Sequence, residues 1–331
     1  MSISITGLST MFDAKSIAQT LDTSTPVEQV IRDLVYSDSA THPFSYISKK
    51  EINKVISALP MVIGGSDAEP VGGQTSNIEK ISPEVLAGTM EFSADEVLNI
   101  MELEGSSLAQ WKAGVIKDAR DMVSKTVESM CAKSLTGTLT WKARTATGQW
   151  GDVALYSETV PNYAIADWAN PLTKLGTVQK NLNTMYGGMK KAGAAGKEIE
   201  VLCVPTFFWG VYDKINSKMK SDVVSAVYNS DDETIKMGRF LLRNEQATYT
   251  DADDQATTDA VSGTTVLLIN KKAGHKLRFL KIANFLNDMK AMPFFMTTNV
   301  PANGRAMTIE VSSKPIALFA ALKSAKGTYT E

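Results

Sequence analysis

SSLAQWKAGVIKDARDMVSKTVESMCAKSL, residues 106–135, is the longest periodic segment of the sequence. Its apolar positions recur at steps of three and four: Leu108, Trp111, Val115, Ala119, Met122, Val123, Thr126, Val127 and Met130. The opposite face is charged: Lys112, Lys117, Asp118, Arg120, Asp121, Lys125 and Glu128. This pattern predicts a helix over 107–135, capped by Ser106 or Ser107, stopped by Gly137 and roughly 40 Å long. A single apolar stripe of this length predicts that the helix lies across a flat surface.

The first forty residues are polar and weakly patterned, apart from one short helical signal. Thr25-Pro26-Val27-Glu28 reads as a capping box with proline at the first helical position. An apolar stripe follows at Val27, Val30, Ile31 and Leu34. A helix of about three turns cannot bury such a stripe alone, so it must dock. Docking on its own core and docking on a neighbouring chain both remain open.

Between Ile47 and Met101 the sequence predicts an extended excursion. Two better-patterned flanks, Ile56–Ile63 and Ile78–Leu86, enclose a polar tip with the glycine pairs Gly64-Gly65 and Gly72-Gly73. This arrangement indicates a long hairpin whose tip has too few apolar residues for a core and therefore protrudes. The glycine pairs match neither GxxxxGK[ST] nor GxGxxG after a strand, so they do not indicate a nucleotide site.

A second unit begins near Tyr156. Asn170-Pro171 is predicted to open a helix that ends in the glycine-rich stretch Gly187–Gly196. A short buried strand at Ile199–Val204 then leads into a helix that starts at Pro205. Further strands are predicted at Phe240–Tyr249, Thr264–Asn270, Leu277–Ala283 and Pro293–Thr298, and around Met307–Val311 and Ile316–Leu322. Helix, strand and helix in close succession predict an α/β layer.

Composition limits the classes of function. The 331 residues carry a formal net charge of -2, which argues against a protein devoted to binding phosphate backbones. The two cysteines, Cys131 and Cys203, lie in apolar patterns and are expected to be reduced core residues. The N-terminus lacks the pattern of a signal peptide, and no window is apolar enough to span a bilayer. Because the sequence starts at Met1, we expect that no N-terminal propeptide has been removed.

The sequence lacks the motifs of common active sites, so we predict no catalytic, cofactor-binding or metal-binding residues. The two histidines, His42 and His275, have no second imidazole or cysteine at zinc-ligand spacing. The acidic run Asp251, Asp253 and Asp254 begins like a calcium loop, but it lacks the glycine and glutamate of that motif. A solvated turn is the preferred interpretation. The basic cluster at 271–278 gives only a weak signal for DNA contact.

Three segments, in order along the chain, carry a resemblance to a known family. They are Asp167-Trp168-Ala169-Asn170-Pro171-Leu172, the strand and aromatic helix of 200–217, and a C-terminal group made of Tyr249-Thr250-Asp251, Lys276–Ile282 and Thr308–Ile316. The chain resembles the lambda-type major capsid proteins of tailed phages, capsid family E, over nearly its whole length. Only one of two family prolines is present, Pro315, and the insert Thr257–Ser262 is atypical.

The resemblance implies the α+β Hong Kong 97-like capsid fold and a division of the chain. Residues 1–45 would be an N-terminal arm and 46–99 an extended loop that reaches over a neighbouring subunit. Residues 100–155 with 300–331 would form a peripheral domain that contains the spine helix 107–135. Residues 156–299 would form an axial domain, with the C-terminal strand returning to the peripheral sheet.

The implied function is structural: self-assembly into an icosahedral shell that encloses phage DNA, with no enzymatic activity and no cofactor. The implied partners are copies of the chain in pentamers and hexamers, a scaffolding protein, a portal, a decoration protein, and packaged DNA by weak contact, with no membrane. The implied location is the virion, after assembly in the host cytoplasm. One alternative is an encapsulin-type nanocompartment shell. A more distant one is an α/β nucleotide-binding enzyme that uses Gly187–Gly196, although this stretch follows a helix rather than a strand.

Overall fold

The computed structural model describes residues 12, 17, 29–48, 80–144, 147–217, 225–245, 248–250, 257–259, 261, 263–283, 289–299 and 306–330. The helices are α1 (Val30–Val35), α2 (Ala94–Glu102), α3 (Gly105–Ser134), α4 (Leu175–Lys191) and α5 (Pro205–Asn216), with a 3-10 turn at Ala321–Lys323. The strands up to the α/β unit are β1 (Asp38–Thr41), β2 (Ile47–Ser48), β3 (Lys80–Ile81), β4 (Leu86–Ser93), β5 (Thr138–Arg144), β6 (Trp150–Ser157) and β7 (Asn162–Ala164). The later strands are β8 (Ile199–Cys203), β9 (Ala226–Asn229), β10 (Thr234–Met237), β11 (Phe240–Asn244), β12 (Thr248–Thr250), β13 (Thr257–Asp259), β14 (Thr265–Ile269), β15 (Lys276–Phe279), β16 (Phe295–Asn299), β17 (Ala306–Ser313), β18 (Pro315–Leu318) and β19 (Ala325–Thr328).

The long helix predicted from its apolar period is confirmed as α3, which begins at Gly105 and ends at Ser134. Thirty residues at 1.5 Å each make it about 45 Å long. Its N-cap is Glu104, without a side-chain cap, so the predicted serine cap is wrong. Both serines lie inside the first turn and are exposed. They follow a glycine at φ 55°, a backbone conformation that fixes where the helix begins.

The burial of α3 differs from its sequence pattern at three positions. Met122, predicted to lie on the core stripe, is 47 % exposed, while Ile116 beside the stripe is fully buried. Glu128, predicted to lie on the charged outer face, is buried. The C-terminal half of α3 is buried on more than one side, because α1 and β5 also pack on it. The single stripe therefore describes only the N-terminal half of the helix.

That N-terminal half lies against a three-stranded antiparallel sheet in the order β16-β17-β4. Val115, Ile116 and Ala119 of α3 belong to one apolar cluster with Met296, Met307, Ile309 and Val311 of the sheet. Phe12 and Ile17 from the N-terminal region join the same cluster. The predicted arrangement of a long helix across a flat surface is thus confirmed in this part of the chain.

The second unit is a seven-stranded mixed sheet in the order β7-β19-β14-β8-β11-β10-β9. Its central strand β8 is buried at all five positions, as expected for a strand enclosed on both faces. Apolar side chains of α4 and α5, among them Leu182, Met185 and Phe208, pack into the same core. The predicted α/β layer is confirmed.

Two of the smaller sheets pack on α3. The parallel pair β1 and β15 continues into β18 as a three-stranded sheet, and β5 and β6 form an antiparallel hairpin. The last strand, β19, pairs with β14 and β7 inside the seven-stranded sheet. No strand was predicted at Ala325–Thr328, and β19 joins the sheet of the second unit, whereas β17 pairs with β4 in the sheet against α3. Strands that pair over such a long sequence separation cannot be matched from the local sequence pattern.

Two element boundaries differ from prediction. The stretch read as extended up to Met101 ends in helix α2, which opens with a capping box between Ser93 and Glu96. The helix predicted to open at Asn170-Pro171 begins at Leu175 instead. The Asn170 side chain accepts a hydrogen bond from the amide of Leu172 and holds a separate turn, which leaves Leu172 84 % exposed.

Candidate functional site

The N-terminal region of the chain is attached to α3 by a buried carboxylate. The two oxygens of Glu128 accept hydrogen bonds from the backbone amides of Ile31, at 2.6 Å, and Arg32, at 3.0 Å, in the first turn of α1. The Gln29 side-chain amide donates to the Ser124 carbonyl at 2.9 Å. Burial raises the pKa of Glu128, while the two amide hydrogen bonds oppose that rise. These contacts fix where the arm crosses α3.

Apolar packing completes this attachment. Ile31, Leu34 and Val35 of α1 are buried in the same cluster as Val127 and Cys131 of α3. Of the two alternatives left open by the sequence, docking on its own core is therefore the one observed. Val30, predicted on the stripe, is 47 % exposed. The predicted capping box at Thr25–Glu28 lies outside the described residues.

Past α1, the chain adds a strand to the body of the protein. β1 pairs in parallel with β15, from Asp38 opposite Lys276 to Thr41 opposite Phe279. The Arg278 guanidinium donates to both carboxylate oxygens of Asp38, at 2.9 and 2.8 Å. This pairing lowers the pKa of Asp38. Since Asp38 is exposed, the ion pair contributes more to register than to stability.

A buried polar junction lies where the arm, α3 and the C-terminal strands meet. The hydroxyl of Tyr36 is hydrogen-bonded to Ser134, and the hydroxyl of Tyr156 donates to the Ala317 carbonyl at 2.8 Å. His275 Nδ1 accepts from the Ala320 amide at 3.1 Å, and its ring stacks on Phe319. Burial lowers the pKa of His275 to about 4. The ring is thus neutral at physiological pH and serves as a core acceptor.

The base of the predicted hairpin is narrow. β2 and β3 pair only as Ile47 with Ile81 and Ser48 with Lys80. Both isoleucines are buried against β5, β6 and β18 residues, including Leu139 and Leu318. Residues 49–79, with the predicted tip, lie outside the described residues. The described base of the hairpin is therefore closed by two residue pairs between its own strands, and two buried side chains anchor it in the body.

The Asp167–Leu172 segment, which carried part of the family resemblance, forms a structured turn. Trp168 is fully buried, and its carbonyl accepts from the ammonium of Lys214 at 2.7 Å. The Lys214 ammonium also donates to the Gly210 carbonyl at 3.1 Å. Burial lowers the pKa of Lys214, and the nearby Asp167 and Asp213 oppose this. The motif thus anchors α5 beside the entry to α4.

The glycine-rich stretch considered as a phosphate loop is filled by protein. Gly187 and Gly188 lie within α4, and Gly188 packs against the Tyr163 hydroxyl. A side chain at Gly196 would meet the Asn270 amide at 2.9 Å. Gly188 and Gly196 allow close packing, so the geometry does not support the nucleotide-binding alternative.

The other candidate residues are placed apart. His42 is not buried and lies beside Phe44, whereas His275 is buried in the polar junction described above. Cys131 and Cys203 are buried free thiols, as predicted. Asp251, Asp253 and Asp254 lie outside the described residues. Within the described ranges, no group of three or more histidine, cysteine or acidic side chains could hold a metal ion. No helix in the described part is long and apolar enough to cross a membrane.

The described contacts attach the peripheral segments to the body of the subunit. Glu128 and β1 hold the arm, Ile47 and Ile81 hold the base of the hairpin, and the α/β unit is held together by its own sheet. The sequence predicted the arm helix and the hairpin, but it missed Glu128, whose partners are backbone amides 97 and 96 positions away. The same half of α3 also carries Lys125 and Lys133, so the charge of Glu128 did not single it out in the sequence.

Comparison with known proteins gives one family. The family model described as phage major capsid protein E matches residues 13–325. No curated protein sequence matches the chain. A solved structure described as a prophage capsid protein from Escherichia coli CFT073 is 13 % identical with a TM-score of 0.60, and the match covers 100 % of both chains. A phage-related protein from Bordetella bronchiseptica RB50 is 8 % identical with a TM-score of 0.49, covering 96 % of this chain and 97 % of that one. The first of these structures supports the mixed α and β fold.

Proposed function

The chain belongs to the phage major capsid protein E family, a family of shell-forming structural proteins, and from this premise we propose that it builds the icosahedral shell around phage DNA. The observation that carries the proposal is the length of the match, which takes in the arm, the hairpin, α3 and the α/β unit together. The shell would use the chain only as a building block, with no catalytic step.

We propose the following domain organisation for the subunit. Residues 1–45 act as the arm, 46–99 as the extended loop, 100–155 with 300–331 as the peripheral domain, and 156–299 as the axial domain. Ala325–Thr328 are an exception, because β19 belongs to the seven-stranded sheet. A C-terminal strand that bridges the two units would keep their relative position fixed during assembly.

The attachment geometry supports this division. The described base of the hairpin consists of two residue pairs, and the proposal assigns the residues beyond it, 49–79, to contacts with other copies. If residues 49–79 make their contacts only in the assembled shell, the shell should be stable only as a whole. The interfaces between its subunits should then be large and obligate.

The expected partners follow from the same proposal. Copies of the chain would form pentamers and hexamers in the host cytoplasm, assisted by a scaffolding protein and a portal, with a decoration protein on the outer surface. Packaged DNA would touch the inner face only weakly, in keeping with the net charge of -2. The mature location would be the virion.

Electron microscopy of the purified full-length protein tests this proposal. Closed particles with five- and six-fold capsomers are the expected result. A homogeneous population of compact monomers at every concentration would contradict it. Closed particles that carry a co-purified protein cargo would favour the nanocompartment alternative instead.

A further inference from the structure

Three connections of the seven-stranded sheet meet at one end of that sheet. β8 begins at Ile199, β11 begins beside it at Phe240, and β14 ends at Ile269, one pair further along. The segment from the end of α4 to β8, the turn between β10 and β11, and the turn after β14 therefore lie side by side. We call this surface the basic end of the sheet, because it carries six exposed cations: Lys190, Lys191, Lys197, Arg239, Lys271 and Lys272.

Hydrogen bonds tie the three connections to one another. The amide of Ile199 donates to the carbonyl of Arg239 at 2.9 Å, which joins the start of β8 to the turn between β10 and β11. The side-chain amide of Asn270 donates to the carbonyls of Ala194 and Ala195, each at 3.1 Å. This second contact joins the turn after β14 to the segment before β8. The fold itself therefore brings these cations onto one surface.

A buried tyrosine holds two of the cations close together. The guanidinium of Arg239 lies 4.6 Å from the ring centroid of Tyr186, and the ammonium of Lys190 lies 5.7 Å from it. The Tyr186 hydroxyl donates to the Gly196 carbonyl at 3.0 Å. Cations are attracted to the face of an aromatic ring at such distances. Because the ring is buried, it supports the two cations and does not offer a stacking surface to a base.

The carboxylates of this sheet do not cancel the positive charge. Glu200 is buried, and it is paired with Arg243 Nε at 2.7 Å and with Lys271 Nζ at 2.9 Å. Glu198 is exposed on the same surface. Exposed acidic residues lie at the opposite end of the sheet, in the turn between β9 and β10: Asp231, Asp232 and Glu233. The sheet therefore has a positive end and a negative end, although the whole chain has a net charge of -2.

We infer that the basic end of the sheet binds the phosphate backbone of the packaged duplex DNA. This inference rests on the proposed function, which places DNA inside the shell. Lysine and arginine contacts to phosphates position a protein on DNA without reading its sequence, which is what a shell around any packaged genome requires. The contact is dominated by counterion release, so it weakens steeply with salt. The acidic end of the sheet then points away from the DNA, which orients the second unit within the shell.

DNA binding by the full-length subunit, at concentrations below those that form particles, tests this inference. The probe is a short fluorescent DNA duplex, whose anisotropy is followed from about 50 to about 200 mM salt. One variant removes three exposed cations of the basic end that do not pair with Glu200 or contact Tyr186: Lys191→Gln, Lys197→Gln and Lys272→Gln. The matched control removes the same charge from exposed positions of α3 and the start of α4: Lys117→Gln, Lys174→Gln and Lys180→Gln. A third variant keeps the charge: Lys191→Arg, Lys197→Arg and Lys272→Arg.

The basic-end glutamine variant should bind DNA about fivefold or more weakly at the lowest salt concentration. The slope of log K against log salt should become shallower by about 2 to 3, since each phosphate contact contributes about 0.9. The control and the arginine variant should stay within about twofold of the unsubstituted subunit. Equal losses in the basic-end and control glutamine variants would overturn the inference, because net charge alone would then explain the binding.

Two further results separate this inference from the proposed function. If the unsubstituted subunit forms particles but does not bind the duplex at low salt, the inference is wrong and the proposed function stands. A basic-end glutamine variant that binds DNA normally but no longer forms particles would also overturn it, and would assign the basic end to an acidic surface of another copy. Failure of the unsubstituted protein to form particles would overturn the proposed function itself.

Discussion

The Glu128 carboxylate accepts a hydrogen bond from the amide of Ile31 at 2.6 Å, across 97 positions of sequence. The second oxygen binds the Arg32 amide, so one side chain of α3 satisfies two orphan amides of the arm helix. The arm is therefore held to the body by this buried carboxylate, by the Gln29–Ser124 hydrogen bond, by the apolar packing of α1 and by the pairing of β1 with β15.

Removal of this carboxylate should loosen the arm. Glu128→Ala leaves two amides without an acceptor, which should lower the free energy of unfolding by about 1–3 kcal/mol. Asp118→Ala, at an exposed position on the same helix, is the control and should change it by less than about 0.5 kcal/mol. Urea denaturation of the unassembled subunit measures both. Equal effects of the two substitutions would show that Glu128 does not hold the arm.

Burial of His275 predicts an acid dependence of stability. The folded-state pKa of about 4 lies below the unfolded value of about 6.5, so the unfolded chain binds the proton first. Stability is complete above pH 6.5 and falls as the pH drops towards 4, by up to about 3 kcal/mol. Urea midpoints between pH 8 and 4 should show this loss.

Substitution of the ring tests this prediction. His275→Asn should flatten the pH dependence between 6.5 and 4, because asparagine does not titrate in this range. A pH profile of His275→Asn that overlays that of the unsubstituted protein would assign the acid sensitivity to other groups.

Substitution by alanine should have opposite effects on stability at two glycines. At Gly210 a Cβ would lie 2.5 Å from the Trp168 carbonyl oxygen, so Gly210→Ala should destabilise the subunit by about 1–3 kcal/mol. At Gly187, inside α4, no atom lies within 4 Å, so Gly187→Ala should stabilise it by about 0.5–1 kcal/mol. Thermal melts of both variants measure these two changes in stability. Destabilisation by Gly187→Ala, or tolerance of Gly210→Ala, would refute this packing.

The sequence predicts elements better than it predicts their partners. The apolar period of α3, the alternation of β17 and the proline at the start of α5 are local signals, and each of these elements forms as predicted. The α2 helix was missed although Ser93 and Glu96 form a capping box, because the preceding strand alternates into it without a break.

The attachments could not be predicted in the same way. Because Glu128 is charged, the sequence predicts that it lies on the exposed face of α3. No residue close to it in the sequence identifies the backbone amides near position 31 as its partners. Likewise Met122 fits the stripe, but it lines an open groove between β4 and the β5–β6 hairpin and is therefore exposed. Partners far away in sequence, as for β19 with β14 and β7, decide these contacts.

Deletion of the hairpin tip should separate folding from assembly. Residues Gly64–Asn77 contain only Val71 as a large apolar side chain, so we expect that a short Gly-Ser turn in their place removes no core contact. Halving a loop changes its closure entropy by only about 0.6 kcal/mol. The subunit should keep native circular dichroism and cooperative melting, while assembly fails or stops at loose capsomers. Loss of folding, or shells of normal size and heat resistance, would contradict this.

The mass of the purified full-length protein in solution, measured over a range of concentrations, tests the central claim most directly. The account predicts that the 35.8 kDa subunit disappears with rising concentration in favour of one closed species of many copies, with capsomers as the only prominent intermediates. A mass that stays at 35.8 kDa up to the solubility limit would contradict the claim that this chain builds a shell.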